Sequence, residues 1–192
     1  MQLPSPPRAI VIYSGMFGAT EAAAEIIADA LTVRLGQAVP CRDVSWFDLS
    51  ELDGYDLVVI GACTWNIGQL PYGWSDKLGE LARLDLIGKT VALFGTGDQV
   101  GYPETFLDAL GMVALAVRRA GARLVGYWPT GGYDFTASLA LEGQRFVGLA
   151  LDDDNQDALT LVRIGTWVEQ VLDEVHGPSS PGSAARMLAV TG

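Results

Sequence analysis

Residues 13–20 read YSGMFGAT and lie between an apolar run at 9–12 and EAAAEIIADALTVRL, which has the apolar spacing of a helix. A strand, a glycine-bearing turn and a helix in that order bring backbone N–H groups to a helix N-terminus, where a phosphate can sit. Ser14, Gly15, Met16, Phe17, Gly18, Ala19 and Thr20 are therefore the candidate phosphate-facing residues. Two other segments offer flat apolar surface beside pliable backbone. CTWNIGQLPYGW sets Trp65 directly after an apolar strand, and Gly68 can take the positive φ that re-aims a carbonyl. GTGDQVGY surrounds Asp98 with three glycines and then presents Tyr102. Two aromatics on adjacent loops can sandwich a heteroaromatic ring, although Trp65 can equally close the edge of a core.

Other chemistries find little support. Gly95 and Gly97 make a GxG after the wrong strand for a dinucleotide site, and no GxGxxG opens the first helix. Walker A, zinc, Ser-His-Asp and Cys-His patterns are missing. The one histidine, His176, falls at the end of the last helical segment, where a cation suits the dipole. Glu21 belongs to a first helical turn, and the acidic run 152–154 reads as a solvated loop capping the next helix. No catalytic residue and no metal ligand is expected. Cys41 and Cys63 stand beside apolar stretches and read as reduced, buried thiols. With 12 basic against 23 acidic side chains, net charge −11, the chain is a poor ligand for nucleic acid or anionic membrane. Its natural complement is a basic protein.

The elements that must position these loops follow from periodicity. Short, near-continuous apolar runs at 9–13, 56–62, 90–95, 122–127 and 146–150 predict strands buried on both faces, with a further strand at 38–44. Helical spacing predicts helices at 20–35, 71–83, 103–120 and 157–175, the second interrupted by Gly73 and Gly79. Alternation of this kind implies an α/β, doubly wound parallel sheet with helices on both faces. Ligands of such sheets bind at the carboxyl ends of the strands, which directs attention to the loops 13–20, 62–74, 95–103 and 128–145. The last is an insertion of about twenty residues, long enough to be functional or partner-facing. The expected organisation is one domain over 8–176 between flexible tails at 1–7 and 177–192, with no signal peptide and no membrane span.

Four segments together carry a family resemblance: TWNIGQLPYGW at 64–74, GKTVALFGTGDQVGYPETFLDALG at 88–111, GYWPTGGYDFTAS at 126–138 and FVGLALDDDNQ at 146–156. With the first strand and helix they span residues 8–175, and the chain resembles a long-chain flavodoxin, a small FMN-bearing electron carrier. The resemblance implies a five-stranded parallel sheet whose last strand is interrupted by the insertion. It implies a low-potential one-electron carrier and not an enzyme, cytoplasmic and monomeric, shuttling electrons from a flavodoxin reductase with a basic docking face to an acceptor enzyme. Trp65 and Tyr102 would hold the ring of FMN between them. Thr64, Asn66, Ile67 and Gly68 would line one loop, with the Asn66 carbonyl turning toward the ring on reduction. Thr96, Gly97, Asp98 and Gln99 would edge the pyrimidine side, and Asp154 would reach the ribityl side.

One loop departs from the family pattern. Two positions that carry phosphate-facing hydroxyls in the family are Gly15 and Phe17 here, while Gly18 and Thr20 remain. Hydrogen bonds to a charged group contribute roughly 1.5 to 3 kcal/mol each, so anion binding would fall to backbone N–H groups and the helix dipole. A flavin-free or phosphate-independent interaction module is the alternative reading.

Overall fold

The structure, a computed structural model, describes residues 5–15 and 18–176. The expected tail at 177–192, most of the tail at 1–7, Met16, Phe17 and the side chain of His176 lie outside the described residues. The chain runs β1 (Ala9–Ser14), α1 (Ala19–Leu35), β2 (Cys41–Asp43), two 3-10 turns (Val44–Trp46 and Leu49–Gly54), β3 (Leu57–Cys63), α2 (Tyr72–Leu81), β4 (Thr90–Thr96) and α3 (Asp108–Arg119). After these come β5 (Arg123–Val125), β6 (Trp128–Pro129), β7 (Leu141–Glu142), β8 (Arg145–Phe146), β9 (Leu149–Leu151) and α4 (Asp153–His176).

The main sheet is parallel with order β2-β1-β3-β4-β5, and β9 also pairs with β4. β5 takes the first half of β4, opposite Thr90 to Ala92, and β9 takes the second half, opposite Phe94 to Thr96. The predicted strands at 122–127 and 146–150 are thus two pieces of one fifth strand, and the insertion loops out between them. It is more ordered than a loop: β6, β8 and β7 form a small antiparallel sheet.

Why these strands form is plain from their faces. Every residue of β1, β3 and β4 is buried. Ile10, Ile12, Val58 and Ile60 face a cluster completed by α2 and α3, while Val11, Leu57 and Val59 face one completed by α1 and α4. A doubly covered strand needs apolar residues at every position, hence the runs without alternation. Gly61 is the exception in β3, because a Cβ there would overlap the Phe94 ring from the paired position of β4.

Two helix starts differ from the sequence expectation, and one expected interruption is not found. The helix expected at 103–120 starts only at Asp108, since Leu107 takes a left-handed conformation (φ 61°) and residues 103–107 form turns. The last helix starts earlier, at Asp153, but bends at Gln156, whose φ of −141° and ψ of 34° are not helical. Gly73 and Gly79 do not break α2. Gly73 is required there, because a Cβ would lie 2.6 Å from Ser14 Oγ and 2.7 Å from Ser45 Oγ.

Gly61→Ala is expected to destabilise the protein by about 2–3 kcal/mol through overpacking against Phe94. Urea unfolding followed by circular dichroism checks this, and an unchanged midpoint would contradict the packing described.

Candidate functional site

Parallel order places the carboxyl ends of β1, β3, β4 and β9 along one edge, with the reversal of strand order between β1 and β3. At that edge lies an open cavity of about 390 Å³, within the range typical of small-molecule sites. β3 and its following loop contribute Cys63, Thr64, Trp65 and Asn66 to its lining; β4 and its loop contribute Thr96, Gly97, Asp98 and Tyr102. The start of α1 adds Ala19 and Thr20, and the start of α4 adds Asp153 and Asp154. Eight of the expected residues stand on α1, β3, β4 and their loops: Ala19, Thr20, Thr64, Trp65, Asn66, Thr96, Gly97 and Asp98. Tyr102 and Asp154 complete the match.

Each wall has its own cause. Trp65 and Gln69 close a small hairpin by two backbone hydrogen bonds of 2.8 and 2.7 Å, which leaves Asn66 and Gly68 in left-handed conformations (φ 45° and 77°). Position 68 requires glycine, since its φ is positive and a Cβ would lie 2.8 Å from Asp108 Oδ2. Tyr72 meets the Trp65 ring edge-on at 5.8 Å. Opposite, Asp98 Oδ1 accepts from the N–H of Gly101 (2.7 Å), Asn155 Nδ2 (2.9 Å) and the N–H of Val100 (3.0 Å), folding the loop so that Tyr102 stands at the rim, 47% exposed. The Gly101 bond foremost, with those of Asn155 and Val100, holds this carboxyl below the usual carboxylate range. Asp154 moves the other way: partial burial and then the neighbouring Asp98, Asp152 and Asp153 push it up.

At the far end α1 begins with Gly18 in a left-handed conformation (φ 88°), and among the described residues no side chain caps its first turn. The N–H groups of that turn have no partner within the helix and point along a dipole that favours an anion. Thr20 is buried there, its hydroxyl 2.7 Å from that of Thr96. The Ser14 side chain is also buried, behind the cavity and against α2, and Gly15 gives room to Thr20. Ser14, Gly15, Gly18, Ile67 and Gly68 therefore shape the loops without lining the cavity.

Gln99 requires a correction. Expected at the ring edge, its side chain is buried and turned inward, with Nε2 donating to Asp152 Oδ2 (2.6 Å) and Oε1 accepting from the N–H of Asp134 (2.5 Å). Its own N–H also goes to Asp152 (3.1 Å), so neither its side chain nor its N–H turns to the cavity. Asp152 was likewise expected in a solvated loop. It is fully buried, and it caps α4 as anticipated by accepting from the N–H of Asn155. Thr64 lines the cavity, yet its hydroxyl accepts from the N–H of Ala109 and so caps α3. Sequence reasoning missed Asp153, Cys63, Asn155 and Asp108. Asn155 shows no motif, only its place three residues into a helix whose cap is Asp152.

Among the described residues no group of three or more His, Cys, Asp or Glu could hold a metal, and no helix is long and apolar enough to cross a membrane.

A parallel sheet with one flat-walled cleft at its switch point, aromatic at two sides and uncapped at a helix start, defines a doubly wound α/β ligand-binding protein. Comparison with known sequences narrows the class. The Flavodoxin family model matches residues 11–167. Flavodoxin of Nostoc sp. is 45% identical over 164 residues, covering 85% of this chain and 95% of its own. Flavodoxin 1 of Escherichia coli is 41% identical over 162 residues, covering 83% and 92%. Among solved structures, Fusobacterium nucleatum flavodoxin bound to flavin mononucleotide superposes with a TM-score of 0.81 at 26% identity, covering 88% of this chain and 98% of that one. The chain belongs to the flavodoxin family.

Gln99→Leu is expected to cost about 3 kcal/mol, because it removes a donor from the buried Asp152 carboxylate and leaves the Asp134 N–H unpaired. Chemical denaturation is the check, and a change below about 1 kcal/mol would mean that the buried node contributes little.

Proposed function

We propose that the chain is a one-electron carrier that uses non-covalently bound FMN, with ten of its eighteen expected contacts lining the cavity and two more, Met16 and Phe17, outside the described residues. The observation that carries this is the meeting of Trp65, Tyr102 and the uncapped start of α1 in one cleft. The shape suits FMN: a flat ring between the two aromatics, and a phosphate on the first-turn N–H groups of α1 near Ala19 and Thr20. FMN supplies the redox chemistry, so the chain needs no acid, base or nucleophile of its own.

The protein's part is to bind, orient and tune. Trp65 and Tyr102 exclude water from the two faces of the ring. Asp98, Asp153 and Asp154 line the same cleft and raise the cost of placing extra negative charge on the ring, which keeps the potential low. Asn66 sits at the tip of a hairpin closed at Trp65 and Gln69, so its peptide can reverse without unmaking those two bonds. Its carbonyl is the group we assign to the ring edge on reduction.

The family's members are electron carriers that meet a reductase and an acceptor. For this chain we take both partners to be basic-faced, the protein to be a cytoplasmic monomer, and residues 8–176 to form its single domain, on the strength of the net charge of −11 and of the element order.

Titration of the apoprotein by flavin fluorescence is expected to show FMN binding at least about 100-fold tighter than riboflavin, the worth of two charge-assisted hydrogen bonds. Equal affinities would mean that the loop does not read phosphate. Asp154→Asn, which removes one cleft charge, is expected to raise the flavin potential by about 20–40 mV, read by spectroelectrochemistry.

A further inference from the structure

The carrier reading leaves a strip of surface beside the cleft without a task. The 3-10 turn Val44–Trp46 follows β2 at the carboxyl edge of the sheet and packs on the start of α2, where the hydroxyls of Ser45 and Ser14 close over Gly73. Trp46, adjoining Ser45, is 91% exposed. Tyr72, adjoining Gly73, is 69% exposed and touches the edge of Trp65. Ile67, at the tip of the Trp65–Gln69 hairpin, is 78% exposed. Three large apolar side chains thus lie on successive elements that pack on one another, leading from the cleft rim toward β2.

Isolated exposed apolar residues are ordinary, but a row that ends in a nearly bare tryptophan is not. Tryptophan and tyrosine are the residue types that most often dominate an interface. The surrounding charge indicates what would cover them. Asp48 and Asp76 are exposed and Asp43 partly so. Of the neighbouring cations, Lys77 turns its ammonium onto the Phe47 carbonyl (2.6 Å) and Arg42 donates to the Cys41 carbonyl (2.8 Å). The rim is therefore acidic with its cations partly spent, in a chain of net charge −11.

We propose that Trp46 anchors a basic protein partner, which seats an apolar spot ringed by Lys and Arg on Trp46, Tyr72 and Ile67. This rests on the carrier reading, and it adds an anchor outside the cofactor cleft. Nothing about FMN binding requires Trp46, whose side chain is absent from the cavity lining.

The test uses the FMN-loaded protein and cytochrome c, a basic haem protein, at low ionic strength, with affinity measured by calorimetry. Trp46→Ala is expected to weaken binding about tenfold, and Trp46→Phe to restore most of it. Leu161→Ala, at a site on α4 that is 67% exposed, is expected to change affinity less than about twofold. An unchanged affinity for Trp46→Ala, an equal loss with Leu161→Ala, or no binding by the unsubstituted protein overturns the proposal. The flavin absorption spectrum of each variant reports that the cleft is intact. Transfer is followed separately: the dithionite-reduced protein gives one electron to the ferric haem, which becomes ferrous. Binding lost with Trp46→Ala alongside no haem reduction by the unsubstituted protein would keep the docking surface and remove the carrier reading.

Discussion

The buried carboxylate of Asp152 is the point at which four parts of the chain are joined. It follows β9, caps α4 through the N–H of Asn155, and accepts both the main-chain and side-chain N–H groups of Gln99 after β4. Gln99 in turn accepts from Asp134 in the insertion. Asn155 extends the node to Asp98, whose oxygen folds the turn that carries Tyr102. A fully buried carboxylate is tolerated only where its oxygens are satisfied, and here satisfying them requires β4, β9 and α4 to be in place, with the insertion joined at one remove through Gln99. One wall of the cleft is thereby set by interior bonding.

The insertion is bound to the same wall at several heights. The N–H groups of Thr136 and Ala137 go to the Pro103 carbonyl at 2.7 and 3.0 Å, and the N–H of Leu139 goes to Asp108 at 2.7 Å. Burial raises the affinity of Asp108 for a proton, and the Leu139 bond opposes this. Since Asp108 also fills the space beside Gly68, it touches the opposite loop as well. Tyr133 and Phe135 of the insertion pack around Phe106 and Phe146, so a segment interrupting a strand acquires its own aromatic core. A ring lying between Trp65 and Tyr102 would accordingly be held by two loops that share buried supports.

Legibility in the sequence divided along one physical line. Strands buried on both faces leave unbroken apolar runs, and amphipathic helices leave a period, so the sheet, its helices and its ligand-bearing edge were readable from residue type. The aromatic walls were readable too, because Trp65 stands just after β3 and Tyr102 ends the glycine-rich loop after β4. Side-chain direction was not readable. Gln99 adjoins Asp98 in the chain, yet one turns into the core and the other folds a surface turn, and only the position of Asp152 some fifty residues later decides between them. The bend at Leu107 was hidden for the same reason, since a left-handed leucine is made affordable by the packing of its buried side chain, which local sequence does not record. That β5 and β9 share one strand position follows from register along β4, which periodicity cannot report.

The unusual first loop can be understood from the same kind of exchange. A side chain at position 15 would put its Cβ 2.5 Å from that of Thr20, so the glycine and the inward-turned threonine are two halves of one packing choice. Thr20 then reaches across to Thr96 at the end of β4, tying the start of α1 to the strand that carries the Asp98 loop. In that pair one hydroxyl donates and the other accepts, and the accepting oxygen keeps its own hydrogen to give elsewhere. A hydroxyl donor and the uncapped N–H groups of α1 therefore stay at the cleft although Gly15 brings no side chain of its own. The Thr20–Thr96 pair joins two cleft walls, and an anion held at the start of α1 would depend on backbone more than on side chains.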